Sequence, residues 1–171
     1  MQNCYPLQEK HMVKTKTLKR FAMSPPVKEP PVEAMYLSKK NVSDDTIEQI
    51  IEYTIDWCID TFGMNETREH PYISWEWNTI DHDEDDTQTM GRYEPDLNSI
   101  SLKVRGHRTA KLFIKTIIHE YIHYLQPRKG GWYERWNNQY GYYKNPYEIE
   151  AYYLSEMYAQ SATNWVMKKL F

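Results

Sequence analysis

His119-Glu120-Tyr121-Ile122-His123 is the stretch from which most of the fold and chemistry of this chain can be inferred. Two histidines four residues apart lie on the same face of an α-helix, so both imidazoles can bind one metal ion. Glu120 follows the first histidine and would lie beside that pair. Its carboxylate could take a proton from a metal-activated water and pass it to a leaving group. The pattern therefore predicts a helical metal site with its own general base.

The surrounding residues predict one helix from Thr109 to Gln126. The Thr109 side chain can cap the first turn, and Pro127 prevents continuation beyond Gln126. Side chains at three- and four-residue spacing predict the side that faces a core: Leu112, Phe113, Thr116, Ile117 and Tyr124. The two histidines continue the row of Leu112 and Thr116, which places a metal at the edge of the buried side.

A catalytic zinc site has three protein ligands and leaves the fourth position to water, so one more ligand is needed. Metzincins supply a third histidine at the position that is Lys129 here, which excludes that class. No histidine follows His123 in the sequence and no aspartate follows Asp96, so a downstream ligand must be a glutamate. The choices are Glu134, Glu148, Glu150 and Glu156.

Glu148 is the preferred third ligand, and Glu150 is the alternative. The Asn-Pro pair that begins at Asn145 predicts the start of a second helix and places Glu148 in its first turn. Ala151 and Ser155 follow Glu148 on the same helix face. Small side chains there would let the two helices approach closely enough for Glu148 to reach the metal. Bulkier residues follow Glu150.

These two helices together resemble the gluzincin class of zinc metallopeptidases. Residues 148–155, E-I-E-A-Y-Y-L-S, are similar to the E-x-x-A-x-x-F-A pattern of ImmA/IrrE-type peptidases, and the short chain resembles the minigluzincins. The resemblance covers about residues 45–165. The N-E-x-x-S-D form of thermolysin is not matched, so the residue that orients the first histidine stays unidentified.

The resemblance implies an α+β fold and a reaction. A small twisted, mostly antiparallel sheet would pack on an N-terminal helix and on the H-E-x-x-H helix, followed by a C-terminal helix that carries the third ligand. The implied reaction is peptide-bond hydrolysis with one Zn²⁺ per chain, held by His119, His123 and Glu148. In such folds an edge strand beside the zinc can bind an extended peptide through main-chain hydrogen bonds.

The composition limits the number of domains and the classes of function. A chain of 171 residues is expected to form one domain with a true core. With 21 basic and 24 acidic residues the net charge is −3, which argues against general nucleic-acid binding by the folded part. The lack of a long apolar run and of a secretory signal predicts a cytoplasmic protein without membrane contact. Two cysteines, Cys4 and Cys58, fit the same reducing compartment.

Residues 1–42 differ in composition from the rest and predict a disordered arm ahead of a zincin-like domain at 43–171. They hold eight basic and three acidic residues, a net charge of +5, with four prolines between positions 25 and 31. The arm is interpreted as a solubilising tail. Alternatively it is an inhibitory pro-segment, or it docks an acidic partner or nucleic acid.

The domain itself is predicted to contain a helix, three strands, the metal helix and a final helix. Ser43 can cap the first helix and Gly63 can end it, with an apolar stripe formed by Ile47, Ile50, Ile51, Ile55 and Cys58. Strands are predicted at 73–77, 90–93 and 99–104. The acidic segment 81–86 is interpreted as a solvated loop rather than a Ca²⁺ site.

Gly130–Lys144 is rich in aromatic residues and is predicted to be a loop above the metal. It contains Trp132, Tyr133, Trp136, Tyr140, Tyr142 and Tyr143. One of its tyrosines could stabilise the tetrahedral oxyanion, and the sequence does not select which one. An aromatic loop could also grip apolar side chains of a substrate.

Three functional hypotheses follow from the sequence. The first is a zinc metallopeptidase that cleaves a peptide or protein substrate, with Glu120 as general base and acid. The second is a catalytically silent zincin-fold module that binds a peptide or protein partner through the aromatic segment. The third is a nucleic-acid-associated protease, tethered by the basic arm.

Overall fold

The computed structural model describes residues 35–77, 90–127 and 131–171, and these residues form helices around a small sheet. The elements in chain order are α1 (Asp44–Phe62), β1 (Tyr72–Glu76), β2 (Gly91–Glu94), β3 (Ser99–Lys103), α2 (Ala110–Leu125), α3 (Trp132–Tyr140), a 3-10 turn (Tyr142–Lys144) and α4 (Pro146–Leu170). The predicted α+β class is confirmed. The predicted acidic loop at 81–86 lies outside the described residues.

α1 begins and ends where its capping residues predict. The Ser43 hydroxyl accepts a hydrogen bond from the Thr46 N–H, and the Gly63 N–H donates to the Ile59 carbonyl. Gly63 has a φ of 81°, a left-handed conformation that glycine adopts without strain. Every member of the predicted apolar stripe is buried, so α1 covers one side of the core with Ile47, Ile50, Ile51, Ile55 and Cys58.

The sheet has the strand order β1-β3-β2 and contains one parallel and one antiparallel pairing. All three strands lie within one residue of the predicted ranges at each end. β2 and β3 are antiparallel because a short turn at 95–98 joins them. β1 reaches the other side of β3 through a longer connection, which permits parallel pairing, so the sheet is mixed rather than mostly antiparallel. β2 is thereby left at a sheet edge, where it contacts α2.

α2 is the central helix and packs against α4, α1 and the sheet. Of its predicted core residues, Phe113, Ile117 and Tyr124 are fully buried, whereas Leu112 is 44 % exposed, so its assignment to the core was wrong. The reason is that Leu112 belongs to a row of side chains that runs along the border between core and solvent. The other members of this row are half-buried: Thr116, His119 and His123. None of the described helices has the length and apolarity needed to cross a membrane.

Residues 35–42, the described end of the predicted arm, lie against the domain. Tyr36 forms an isolated antiparallel bridge with Thr109, and the Ala110 N–H donates to the Met35 carbonyl at 2.8 Å. Val42 is buried in the core. This part of the chain is therefore fixed at the start of α2. Residues 1–34 lie outside the described residues, where disorder stays a prediction.

Candidate metal centre

The structure brings His119, His123 and Glu148 together at one point between α2 and α4. The two imidazole Nε2 atoms are 3.1 Å apart. The Glu148 carboxylate spans both rings, with Oε2 3.4 Å from His119 Nε2 and Oε1 3.4 Å from His123 Nε2. A tetrahedral site with metal–ligand bonds of 2.0–2.1 Å separates its ligand atoms by about 3.3 Å. The observed spacing fits one small cation, and this group could hold a metal ion.

The start of α4 places Glu148 at this point. Asn145 is fully buried and caps the helix, with its side-chain oxygen accepting a hydrogen bond from the Tyr147 N–H at 3.1 Å. Ala151 and Ser155, on the same face as Glu148, are fully buried, and α4 packs against α2. Small side chains at these positions let the two helices approach closely, as the sequence predicts.

The other candidate glutamates lie elsewhere. Glu150 is exposed and accepts a hydrogen bond from Gln126 Nε2 at 3.1 Å. Glu156 is exposed and forms an ion pair with Lys115. Glu134 lies in the first turn of α3. Across the described ranges, His119, His123 and Glu148 are the one group of three or more metal-ligating side chains that converge.

Glu148 is held in its ionised form by its neighbours. Burial alone would raise the pKa of this carboxyl, but the polar contacts with His119, His123 and Tyr133 outweigh burial and hold the pKa well below its ordinary value. The Tyr133 hydroxyl donates to Oε1 at 2.7 Å. Oε2 is buried and accepts no hydrogen bond from any described residue. A buried carboxylate oxygen that accepts no hydrogen bond and lies beside two imidazoles is suited to bind a cation.

The pKa of His123 is raised by its neighbours. Burial acts to lower it, but the hydrogen bond to Glu148 and the charges of Glu120 and Glu148 outweigh that effect. The other ring nitrogen of His123, Nδ1, lies 2.8 Å from the side-chain oxygen of Gln126. A metal at this site would therefore compete with protons for His123.

Glu120 lies inside the protein, beside the first residue of β2. Its burial raises the pKa of the carboxyl, and the charges of His119 and His123 act in the opposite direction. A Cβ atom placed on Gly91 would lie only 2.9 Å from Glu120 Oε1. The glycine therefore gives the carboxylate the space it occupies. A carboxylate with a raised pKa, close to a metal site, is a suitable general base near neutral pH.

The aromatic segment is not a loop, contrary to the prediction. Trp132–Tyr140 forms α3, bounded by Gly131 and Gly141 with φ values of 59° and 75°. Trp132, Trp136 and Tyr140, four residues apart, stack along one side of the helix with ring centroids 6.1 and 5.6 Å apart. The two flanking glycines and the four-residue aromatic spacing are the signals that could have identified this helix.

Three contributors to the site were missed by the sequence reasoning: Gln126, Tyr133 and Gly91. Tyr133 was one of several aromatic residues considered as oxyanion donors, and its hydroxyl contacts Glu148. Tyr142 also lies near Glu148, and its pKa is raised by burial and by that neighbouring carboxylate. The Tyr133–Glu148 contact and the approach of Gly91 to Glu120 join elements that are distant in the chain, so no local pattern distinguishes them. Gln126 lies only three residues after His123, and its position at the end of α2 is a signal that could have found it.

Comparisons with known proteins found no matching family model, no matching curated protein and no matching solved structure. The gluzincin relationship therefore stays a prediction from the two sequence motifs, and the chemistry of the site is argued from its geometry.

Proposed function

We propose that this chain is a zinc-dependent metallopeptidase, with one Zn²⁺ held by His119, His123 and Glu148. The observation that carries the proposal is the convergence of two imidazole nitrogens and one carboxylate oxygen within 4.8 Å. Two histidines and a glutamate are the ligands of His₂Glu catalytic zinc sites, whereas Ca²⁺ and Mg²⁺ prefer oxygen ligands alone. Three protein ligands also leave a coordination position open, as catalysis requires.

Zinc at this position would supply a Lewis acid that activates water near neutral pH and polarises the scissile carbonyl. Glu120 would accept a proton from the attacking water on its carboxylate and return it to the nitrogen of the leaving amine. The burial of Glu120 supports this role, because it raises the pKa of the carboxyl. A carboxylate with a raised pKa accepts a proton from water more readily. The substrate would be a peptide or a protein.

Replacement of the general base tests this function. Glu120→Gln keeps the size and polarity of the side chain but cannot accept the proton, so it should retain zinc and lose about 10²- to 10⁴-fold in cleavage of a sensitive peptide. Glu48→Gln, an exposed substitution on α1, is the control and should cleave like the wild type. Undiminished hydrolysis by Glu120→Gln would remove this residue from the mechanism.

The exposed aromatic side of α3 favours a second candidate, a catalytically silent module that binds a peptide or protein. No residue of α3 is buried, and the stacked Trp132 and Tyr140 are 44 % and 46 % exposed. Aromatic side chains at a surface are frequent contacts for partners. Under this alternative, wild-type protein would show no cleavage of any peptide in a broad library, and partner binding would survive Glu120→Gln.

A further inference from the structure

Gln126 lies at the end of α2 and joins the second histidine to α4. Its side-chain oxygen is 2.8 Å from His123 Nδ1. Its side-chain nitrogen donates to the Tyr147 carbonyl at 2.9 Å and to Glu150 Oε2 at 3.1 Å. The backbone N–H of Gln126 separately caps α2 by bonding to the carbonyls of Ile122 and His123. The side chain is therefore not required to end the helix.

The two acceptors on α4 determine which way the amide of Gln126 faces. A main-chain carbonyl and a carboxylate can only accept hydrogen bonds, so the NH₂ group, which has two donors, must face them. The amide oxygen then faces His123 and can only accept. When Nε2 binds a metal, the neutral ring carries its proton on Nδ1, which can donate to that oxygen. That Nε2 is the atom that lies beside His119 and Glu148.

We propose that Gln126 and Glu150 form a positioning pair that fixes the Nδ1–H tautomer and the ring orientation of His123, so that Nε2 faces the metal. This inference rests on the proposed metal site. Under this proposal Glu150 does not bind the metal, as the alternative from the sequence had it. Its carboxylate holds the Gln126 amide, which in turn orients His123. Such outer hydrogen bonds typically change metal affinity by about 10- to 100-fold when they are lost.

The two partners of the pair are expected to contribute unequally. Glu150 is exposed, so its hydrogen bond competes with water. The Tyr147 carbonyl remains as an acceptor when Glu150 is changed. Gln126 is the link that contacts the ring directly. Substitution of Gln126 should therefore weaken zinc binding more than Glu150→Ala does.

Zinc titration against a competing chelator tests the pair. Gln126→Met preserves the length of the side chain and removes both hydrogen-bonding ends, so zinc affinity should fall about 10- to 100-fold. Gln126→Glu keeps an acceptor for the Nδ1–H group but cannot donate to the Tyr147 carbonyl or to Glu150, so it should recover only part of that loss. Gln160→Met, which removes an amide from the exposed side of α4, is the matched control and should bind zinc like the wild type.

A second readout does not depend on affinity. In zinc-loaded protein, NMR of the imidazole N–H protons reports how fast the His123 Nδ1–H exchanges with water. This exchange should be slow in the wild type, where the Gln126 oxygen accepts the hydrogen bond, and faster in Gln126→Met. Fast exchange in the wild type, or zinc affinity and exchange both unchanged in Gln126→Met, would overturn the positioning role. A wild type that binds no zinc would instead contradict the proposed function.

Discussion

At the scale of single residues, the proposed role of Glu120 as general base depends on how closely its carboxylate is packed. Gly91 does not have a positive φ, so its importance is one of space and not of backbone conformation. An added Cβ would lie 2.8 Å from Thr116 Cγ2 and 2.9 Å from both Cγ and Oε1 of Glu120. The side chain of Glu120 is thus confined between α2 and the start of β2.

Gly91→Ala should therefore displace the Glu120 side chain. We expect normal zinc content, reduced peptide cleavage and a loss of about 1–3 kcal/mol in the free energy of unfolding, as is usual for overpacking. Zinc analysis, steady-state kinetics and denaturant unfolding of the same preparation would measure the three effects. Wild-type activity together with wild-type stability would show that this glycine does not confine Glu120.

The burial of Glu120 also predicts a dependence of stability on pH. Because its pKa is raised in the folded state, the folded protein binds this proton more tightly than the unfolded chain does. The resulting stabilisation is fully present below the ordinary glutamate pKa and is lost as the pH rises through the raised value. Metal-free Glu120→Gln should consequently melt at a higher temperature than wild type at neutral pH, and this advantage should shrink in acid. A variant that melts lower at neutral pH would contradict the burial argument.

At the scale of elements, the sequence correctly predicted the helices whose ends and buried sides are determined by nearby residues. The capping residues Ser43, Thr109 and Asn145 and the periodic apolar positions placed α1, α2 and the start of α4 correctly. The parallel pairing of β1 with β3 could not be predicted, because strand patterns do not specify how a distant strand joins a sheet. The helix α3 was missed because its aromatic residues were interpreted without their four-residue spacing.

The same distinction applies to the candidate site. The two histidines and Glu120 are fixed by spacing within one helix, so the sequence alone could group them. The choice of Glu148 over Glu150 followed from the small residues on one face of α4, and the structure places Glu148 beside both rings. The contacts of Gln126 with α4 and of Tyr133 with Glu148 depend on how α2, α3 and α4 pack, which no local pattern encodes.

The cap of α4 connects helix geometry to metal binding. The buried Asn145 side chain accepts from the Tyr147 N–H and donates to the Tyr133 carbonyl at 3.3 Å, so it joins α3 to the turn that carries Glu148. Asn145→Ala should lower the free energy of unfolding by about 0.5–2 kcal/mol and should also weaken zinc binding. Ser43→Ala removes the equivalent cap of α1, which carries no predicted ligand. It should lower stability without changing zinc affinity, and equal zinc affinities in the two variants would contradict the argument.

At the scale of the whole molecule, one compact unit contains all the described residues, and α2 is packed between α1, α4 and the sheet. The proposed ligands come from two helices that are held together by the core and are not adjacent in sequence. Metal binding should therefore require the fold, and bound metal should stabilise it by mass action.

Metal analysis of purified wild type beside three alanine variants tests the central claim most directly. We predict one zinc per chain in the wild type, its loss in His123→Ala and in Glu148→Ala, and its retention at saturating zinc in Glu150→Ala. A wild type that takes up no zinc, or a Glu148→Ala variant that keeps it while Glu150→Ala loses it, would contradict the proposed metal centre.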